Sequence, residues 1–421
     1  MTWTFTIRPW HLLAAPAAAL GAALLVGGSG LVSVAANTGH FAPVEWFLHW
    51  TLRRAVATQS LPISRPADVS LEDPLLLQRA AGHFASGCAP CHGAPGERQT
   101  PVARAMMPPV PRLEGQVGEW RDRELFWIGR HGIKYSGMPS WTTQDRPDEI
   151  WALVAFLRAL PAMTPERYRE LAYGEPASEP GRPGLPALGE ARDTALADCA
   201  RCHGADGRGV GAPGSFPPIG GQPAEYLLRT LQAFASGERQ SGIMTPAAGA
   251  LDEATLRRLA DHYAAQPPAA APAGPLGPPA GVAVGYEGGV RLPRGSLRPD
   301  APAAEPAPAG PAAAVDPAAA HGAPVSTAGL LELGRRIAEE GLPSRKLAAC
   351  QTCHGSDGAA RNPLYPRLDG LPEWYVATHL QMWRDRNRGG TPLAHVMETI
   401  AINLTQEQID ALALWYSRRG G

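Results

Sequence analysis

Apolar residues recur at helical spacing in one segment after another, and the elements this spacing predicts are helices. The first series begins after Asp73-Pro74, where Leu75, Leu76, Leu77, Ala80, Ala81 and Phe84 predict a helix ending near Gly87. A Pro-rich loop through Met107-Pro108-Pro109-Val110-Pro111 follows, then a helix over residues 120–130. The series closes with a helix over 147–160, whose apolar residues are Ile150, Trp151, Val154, Phe156 and Leu157. A second series places helices at 188–198, 224–236 and 251–264, and a third at 330–340, 373–384 and 405–418. The expected fold class is all-α, with consecutive helical domains at 70–172, 185–267 and 326–421.

Two stretches break this rhythm. Residues 11–36 form an apolar run with no charge between Arg8 and Glu45, about the length that spans a bilayer. Beyond it Val44, Phe47, Leu48, Leu52, Ala55 and Val56 fall on one helical face, flanked by Trp46 and Trp50 and followed by Arg53-Arg54. The expectation is a membrane anchor with an interfacial helix over 1–60. Two readings compete with it: a signal peptide cleaved after the small residues Val34-Ala35-Ala36, and an amphipathic helix docked on the first domain. Arg53-Arg54 also sit on the side that the positive-inside tendency disfavours. The second stretch, 268–325, is dominated by Pro and Ala and reads as an extended linker that would let the last domain move.

The net charge of −1 gives no basic field for nucleic acid, so no nucleic-acid partner is expected. The six cysteines are all consumed by Cys88-Ala89-Pro90-Cys91-His92, Cys199-Ala200-Arg201-Cys202-His203 and Cys350-Gln351-Thr352-Cys353-His354. Cys-x-x-Cys-His is the attachment signature of haem c. Two thiols at that spacing can each form a thioether to one vinyl group of the same porphyrin, and the adjacent imidazole falls under the iron. A redox dithiol or a zinc half-site is the alternative for a single motif. Three copies, with no cysteine outside them and each far from the next, favour three covalent haems.

Each series then reads as helix, Cys-x-x-Cys-His, loop, helix, a methionine, and a last helix. In the first series the methionine stands in Gly137-Met138-Pro139. This order resembles class I cytochrome c, in which the methionine is the second axial ligand and the last helix packs across the first. The resemblance assigns Cys88, Cys91, Cys199, Cys202, Cys350 and Cys353 to haem attachment. It assigns His92 with Met138, His203 with Met244 and His354 with Met397 to the irons. Rivals for the distal position are Met106, Met107 and His131 in the first domain and Met382 and His395 in the third. The second and third domains look like halves of the two-haem class I cytochromes.

The resemblance implies an electron carrier rather than an enzyme: a membrane-tethered trihaem cytochrome, single-pass in the bacterial cytoplasmic (inner) membrane, with its haem domains in the periplasm. Its partners would be redox proteins, namely a quinol-oxidising complex or dehydrogenase as donor and a terminal oxidase as acceptor. The alternative is a cytochrome subunit of a membrane-bound periplasmic dehydrogenase. A haem peroxidase would need an open sixth position, which the three methionines argue against, and nothing resembles the output domain of a sensor.

Overall fold

Helices account for the regular structure, and most begin where a capping residue or a proline tells them to. The computed structural model describes residues 9–33, 35, 38–173, 191–268, 327–355 and 361–419. Helices α1 (Pro9–Gly28) and α2 (Ala42–Gln59) come first. The first series holds α3 (Pro74–His83), α4 (Asp122–His131), α5 (Pro147–Ala159) and α6 (Pro165–Tyr173). The second holds α7 (Ala191–His203), α8 (Ala224–Ala235) and α9 (Glu253–Ala264), and the third α10 (Thr327–Glu339), α11 (Glu373–Arg384) and α12 (Gln406–Arg418). Asp73 caps α3 by accepting from Leu75 N, and Asp252 caps α9 by accepting from Thr255 N. Thr405 and Gln408 close a capping box at the start of α12. Among the described residues extended pairing is limited to isolated bridges such as Ile133 with Met138.

The buried apolar side chains of the described residues gather into three main cores, one per series. The first is built on Phe84, Phe126, Trp151, Phe156 and Tyr168, the second on Leu227, Leu228, Leu256 and Tyr263, and the third on Ile337, Ile409, Leu412 and Tyr416. In the first and third, the opening helix packs on the closing one, α3 on α5 and α10 on α12. Gly334 makes the second crossing possible, because a Cβ there would stand 2.2 Å from the Ala411 carbonyl oxygen. Helix α6 was not anticipated. Its signal is Thr164-Pro165, a cap followed by proline at the first helical position, with Thr164 Oγ1 accepting from Arg167 N.

The expected membrane anchor is not found. Among the described residues no helix is long and apolar enough to cross a membrane. Half of helix α1 is Ala and Gly, which bring little apolar area per turn, and Pro16 lies in its interior. The transmembrane segment and the single-pass placement in the inner membrane are therefore withdrawn. The competing reading of the next segment holds instead: α2 docks on the first unit through contacts with α4. Val56 is buried there, and Arg53 pairs with Glu119 while its guanidinium lies 4.9 Å from the Trp120 ring. The expected linker lies outside the described residues except for Pro268. The third unit packs directly on the other two, as the seams described below show.

Candidate haem-binding cavity

The same local devices hold each Cys-x-x-Cys-His motif. Helix α3 runs into a π-helical turn, Phe84–Cys88, that re-aims the chain before the short helix Ala89–His92. Helix α7 carries its motif in its own last turns, and Gln351–His354 forms a short helix after Cys350. A glycine ends the turn after every histidine, with φ of 76° at Gly93, 74° at Gly204 and 86° at Gly355. That left-handed conformation is open to glycine at no steric cost.

Each histidine is then fixed from behind. Nδ1 lies 2.9 Å from the Pro111 carbonyl oxygen in His92, 3.2 Å from that of Pro217 in His203 and 2.9 Å from that of Pro366 in His354. A carbonyl can only accept, so Nδ1 carries the proton and Nε2 keeps its lone pair for a metal. Burial lowers the pKa of all three imidazoles, with the proline carbonyls working against it, so they are neutral at neutral pH. Sequence reasoning passed over Pro111, Pro217 and Pro366. The signal was a proline 19, 14 and 12 residues after the respective histidines.

Burial works against thiolate formation at the first cysteine of each motif. Burial, with Cys91 beside it, pushes the Cys88 thiol up to about 12. Burial does the same to Cys199 and Cys350, each up to about 11, and raises Cys202. A reactive dithiol needs a lowered pKa. Among the described residues no three His, Cys, Asp or Glu side chains are placed to hold a metal ion.

All the candidate residues border one continuous cavity of about 1780 Å³. The cysteines and histidines of the three motifs line it, and so do Met138, Met244 and Met397. Of the rival ligands only Met106 borders it as well. His131 is exposed and rests on Trp127 at 5.0 Å, Met382 is buried away from the cavity, and Met107 and His395 are exposed. Met244 opens a short helix, Met244–Gly249, and Met397 lies within another, Ala394–Ala401.

The cavity wall suits a large apolar plate with acidic edges. Its side chains are mostly aliphatic and aromatic. Yet Tyr263 Oη, Trp383 Nε1, Thr230 Oγ1 and Arg388 Nη1 are buried there without a partner. Buried polar groups are almost always hydrogen-bonded, so these point to a ligand with polar groups of its own. Haem c, with its apolar porphyrin and two carboxylates, fits both properties.

Seams between the units reach into the elements that hold the candidate ligands. Buried Glu149, in the first turn of α5, accepts from Trp141 Nε1 at 3.1 Å, Ser241 Oγ at 2.7 Å and Gly242 N at 2.7 Å. Arg146 completes its shell, with Nη1 at 3.0 Å. Trp141 follows Met138 closely in its loop, and Ser241 Oγ accepts from Met244 N at 3.0 Å. One carboxylate therefore fastens both methionine-bearing segments. Across the other seam Gln222 donates to the Arg367 carbonyl and accepts from Arg367 N, next to Pro366. Trp374 Nε1 donates to the Gly214 carbonyl at 2.6 Å.

Covalent attachment motifs, neutral imidazoles tied from behind and a shared cavity together define a multihaem c-type cytochrome, a protein of electron transfer. Comparison with known proteins agrees. A family profile described as cytochrome c oxidase, cbb3-type, subunit III matches residues 76–157, and one described as cytochrome c matches residues 191–260. A cytochrome c-554(548) from Halomonas halodenitrificans is 36% identical over 72 residues, 17% of this chain and 86% of the relative. The chain belongs to the cytochrome c family. It is also similar to a protein named thiosulfate dehydrogenase electron acceptor from Thiomonas intermedia, at 29% identity over 230 residues, 55% of this chain and 82% of that one. Among solved structures, reduced cytochrome c4 from Pseudomonas stutzeri aligns at 23% identity over 55% of this chain and 97% of that one, with a TM-score of 0.38.

Proposed function

We propose that the chain carries three covalent haems, one in each of the units 70–172, 185–267 and 326–421, and passes single electrons between redox proteins. Cys88 and Cys91, Cys199 and Cys202, and Cys350 and Cys353 form the thioethers. His92, His203 and His354, with Met138, Met244 and Met397, would ligate the irons. When bound, haem c supplies one-electron Fe(III)/Fe(II) exchange, and methionine opposite histidine sets a higher potential than two histidines would. The chain's own work is to hold the imidazoles neutral and aimed, to exclude water with an apolar wall, and to keep the three sites in one enclosure. The observation that carries this reading is that all three ligand sets border the same cavity.

The donor we propose is a dehydrogenase and the acceptor a terminal oxidase. The similarity to a dehydrogenase's electron acceptor supports the first, and the match to an oxidase-subunit profile supports the second. A narrower reading, a cytochrome subunit held permanently in a dehydrogenase complex, is supported by that first similarity and by similarity to the cytochrome c subunit of a quinone alcohol dehydrogenase. Single Met138→Ala, Met244→Ala and Met397→Ala variants test the ligand set through carbon monoxide difference spectra and redox titration. Each variant should open one site to carbon monoxide and lower one potential, leaving the other two sites low-spin. A variant whose sites all stay six-coordinate with unshifted potentials overturns that assignment, and Met106 becomes the ligand to test in the first unit.

A further inference from the structure

Three buried arginines meet at the junction of the units, one from each. Arg146 precedes α5, Arg239 follows α8 and Arg388 follows α11, and all three are nearly inaccessible to solvent while bordering the cavity. Their partners differ sharply. Arg146 is neutralised, donating from Nε and Nη2 to Asp148 at 2.9 Å each and lying beside Glu149. Arg239 meets two phenols and no carboxylate, donating to Tyr375 Oη at 2.9 Å with Tyr226 also beside it, and lies 4.4 Å from the Phe234 ring; burial is outweighed by the two phenols, which raise its pKa. Arg388 donates from Nε to His379 Nδ1 at 3.0 Å and covers the Trp383 ring at 4.0 Å, and its Nη1 has no partner. Among the described residues neither Arg239 nor Arg388 has a carboxylate partner.

The surrounding groups register this surplus of positive charge. Burial, followed by Arg239, lowers the Arg388 guanidinium to about 9. Burial and then Arg388, Arg239 and Arg146 push His379 well down, so its ring is neutral and Nδ1 is free to accept. Burial alone would raise the Tyr375 phenol, but Arg239, Arg388 and Arg146 outweigh it and hold the pKa low. A fourth cation, Arg79, shares Asp148 at 3.4 Å and stacks on Trp374 at 3.8 Å. Four guanidiniums thus face two carboxylates, Asp148 and Glu149. A buried charge without a counter-charge is strongly unfavourable, so this arrangement is built to receive anions from the cavity side.

We propose that Arg239 and Arg388, with Arg146 behind them, form a carboxylate-binding site at the centre of the shared cavity, and that its ligands are haem propionates from more than one unit. Guanidinium forks match carboxylates in geometry, and the unpaired Arg388 Nη1 leaves one donor open for this contact. A free anion from solution offers the same chemistry, so the source has to be distinguished. The site would couple the units electrostatically: a positive cluster near the irons favours the reduced state, and removing one charge should be felt at more than one of them. This inference rests on the three-haem reading above.

The test uses the full haem-loaded chain with Arg239→Gln and Arg388→Gln, read by potentiometric titration and by the ratio of haem to polypeptide. Each variant should keep three haems and lower at least two of the three potentials, by about tenfold in the reduction equilibrium or about 59 mV each. Arg335→Gln, an exposed change remote from the cavity, should move none. The charge-keeping Arg388→Lys should stay near the parent values, and its potentials can be read if the Gln variants fail to fold. A loss there as large as that expected for Gln would place the effect in packing and overturn the inference. In the unaltered protein, added phosphate or acetate should leave the potentials unchanged, and an anion-dependent shift would assign the site to a soluble anion instead. Three haems with unmoved potentials in both Gln variants would refute the proposal alone, whereas fewer than three haems in the parent would refute the reading beneath it.

Discussion

Glu149→Ala should loosen two of the three sites at once. The side chain is 4% exposed and accepts from Trp141, Ser241 and Gly242 while pairing with Arg146. Truncation strands the Trp141 and Gly242 donors, each at about 1–3 kcal/mol when buried. It also removes one of two carboxylates from Arg146, although Asp148 remains and the Ser241 hydroxyl can rotate. Taking the low end for the donors and part of the roughly 3–5 kcal/mol for breaking a buried pair gives about 4 kcal/mol, concentrated at the seam of the first two units. The Met138 and Met244 segments should slacken together while Met397 is untouched. Guanidinium denaturation followed at the haem absorption, with carbon monoxide binding before the transition, measures both effects. Two sites should become accessible to carbon monoxide. Glu149→Gln, which keeps the shape and one carbonyl acceptor, should show a weaker version. Stability within about 0.5 kcal/mol of the parent, the range of a neutral surface change, would refute the reasoning, as would equal opening of the third site.

Gly334→Ala should break the α10–α12 crossing, since the new methyl meets the Ala411 carbonyl at 2.2 Å and a helix must move. The cost should be about 1–3 kcal/mol or more, seen as earlier melting of the third unit alone by calorimetry. His83 gives a pH dependence. Burial lowers its pKa to about 4, and its ring lies against Trp141 at 4.6 Å. A histidine held below its unfolded value of about 6.5 contributes its full stability above that pH and loses it as pH falls towards about 4, for a total of about 3 kcal/mol. The difference between parent and His83→Gln in denaturation midpoints from pH 7 to pH 4 measures this share.

The helices were legible because their signals are local and strong. The apolar side of α8 and the aromatic spacing of α11 need no tertiary information, and the Cys-x-x-Cys-His motifs carry their chemistry in five residues. Met244, the methionine between two predicted helices, lines the cavity. The junction was invisible for the opposite reason. Arg146, Glu149, Arg239 and Arg388 lie at helix ends or in loops, where charged residues normally face water, and only the meeting of three units buries them. The anchor reading failed because it weighed the absence of charge in residues 11–36 more than the small size of the alanines and glycines there. The docked alternative for α2 needed the partner surface on α4, which no pattern within 42–59 displays.

The central claim is one covalent haem per motif, three in all. Intact-mass spectrometry of the full chain from a host competent in haem c attachment, after acid-acetone extraction, tests it most directly. The account expects the polypeptide plus three haem increments, falling to two in Cys199→Ala/Cys202→Ala with the other sites spectrally unchanged. A parent mass with two increments or fewer, or haem that leaves with the solvent, would contradict it.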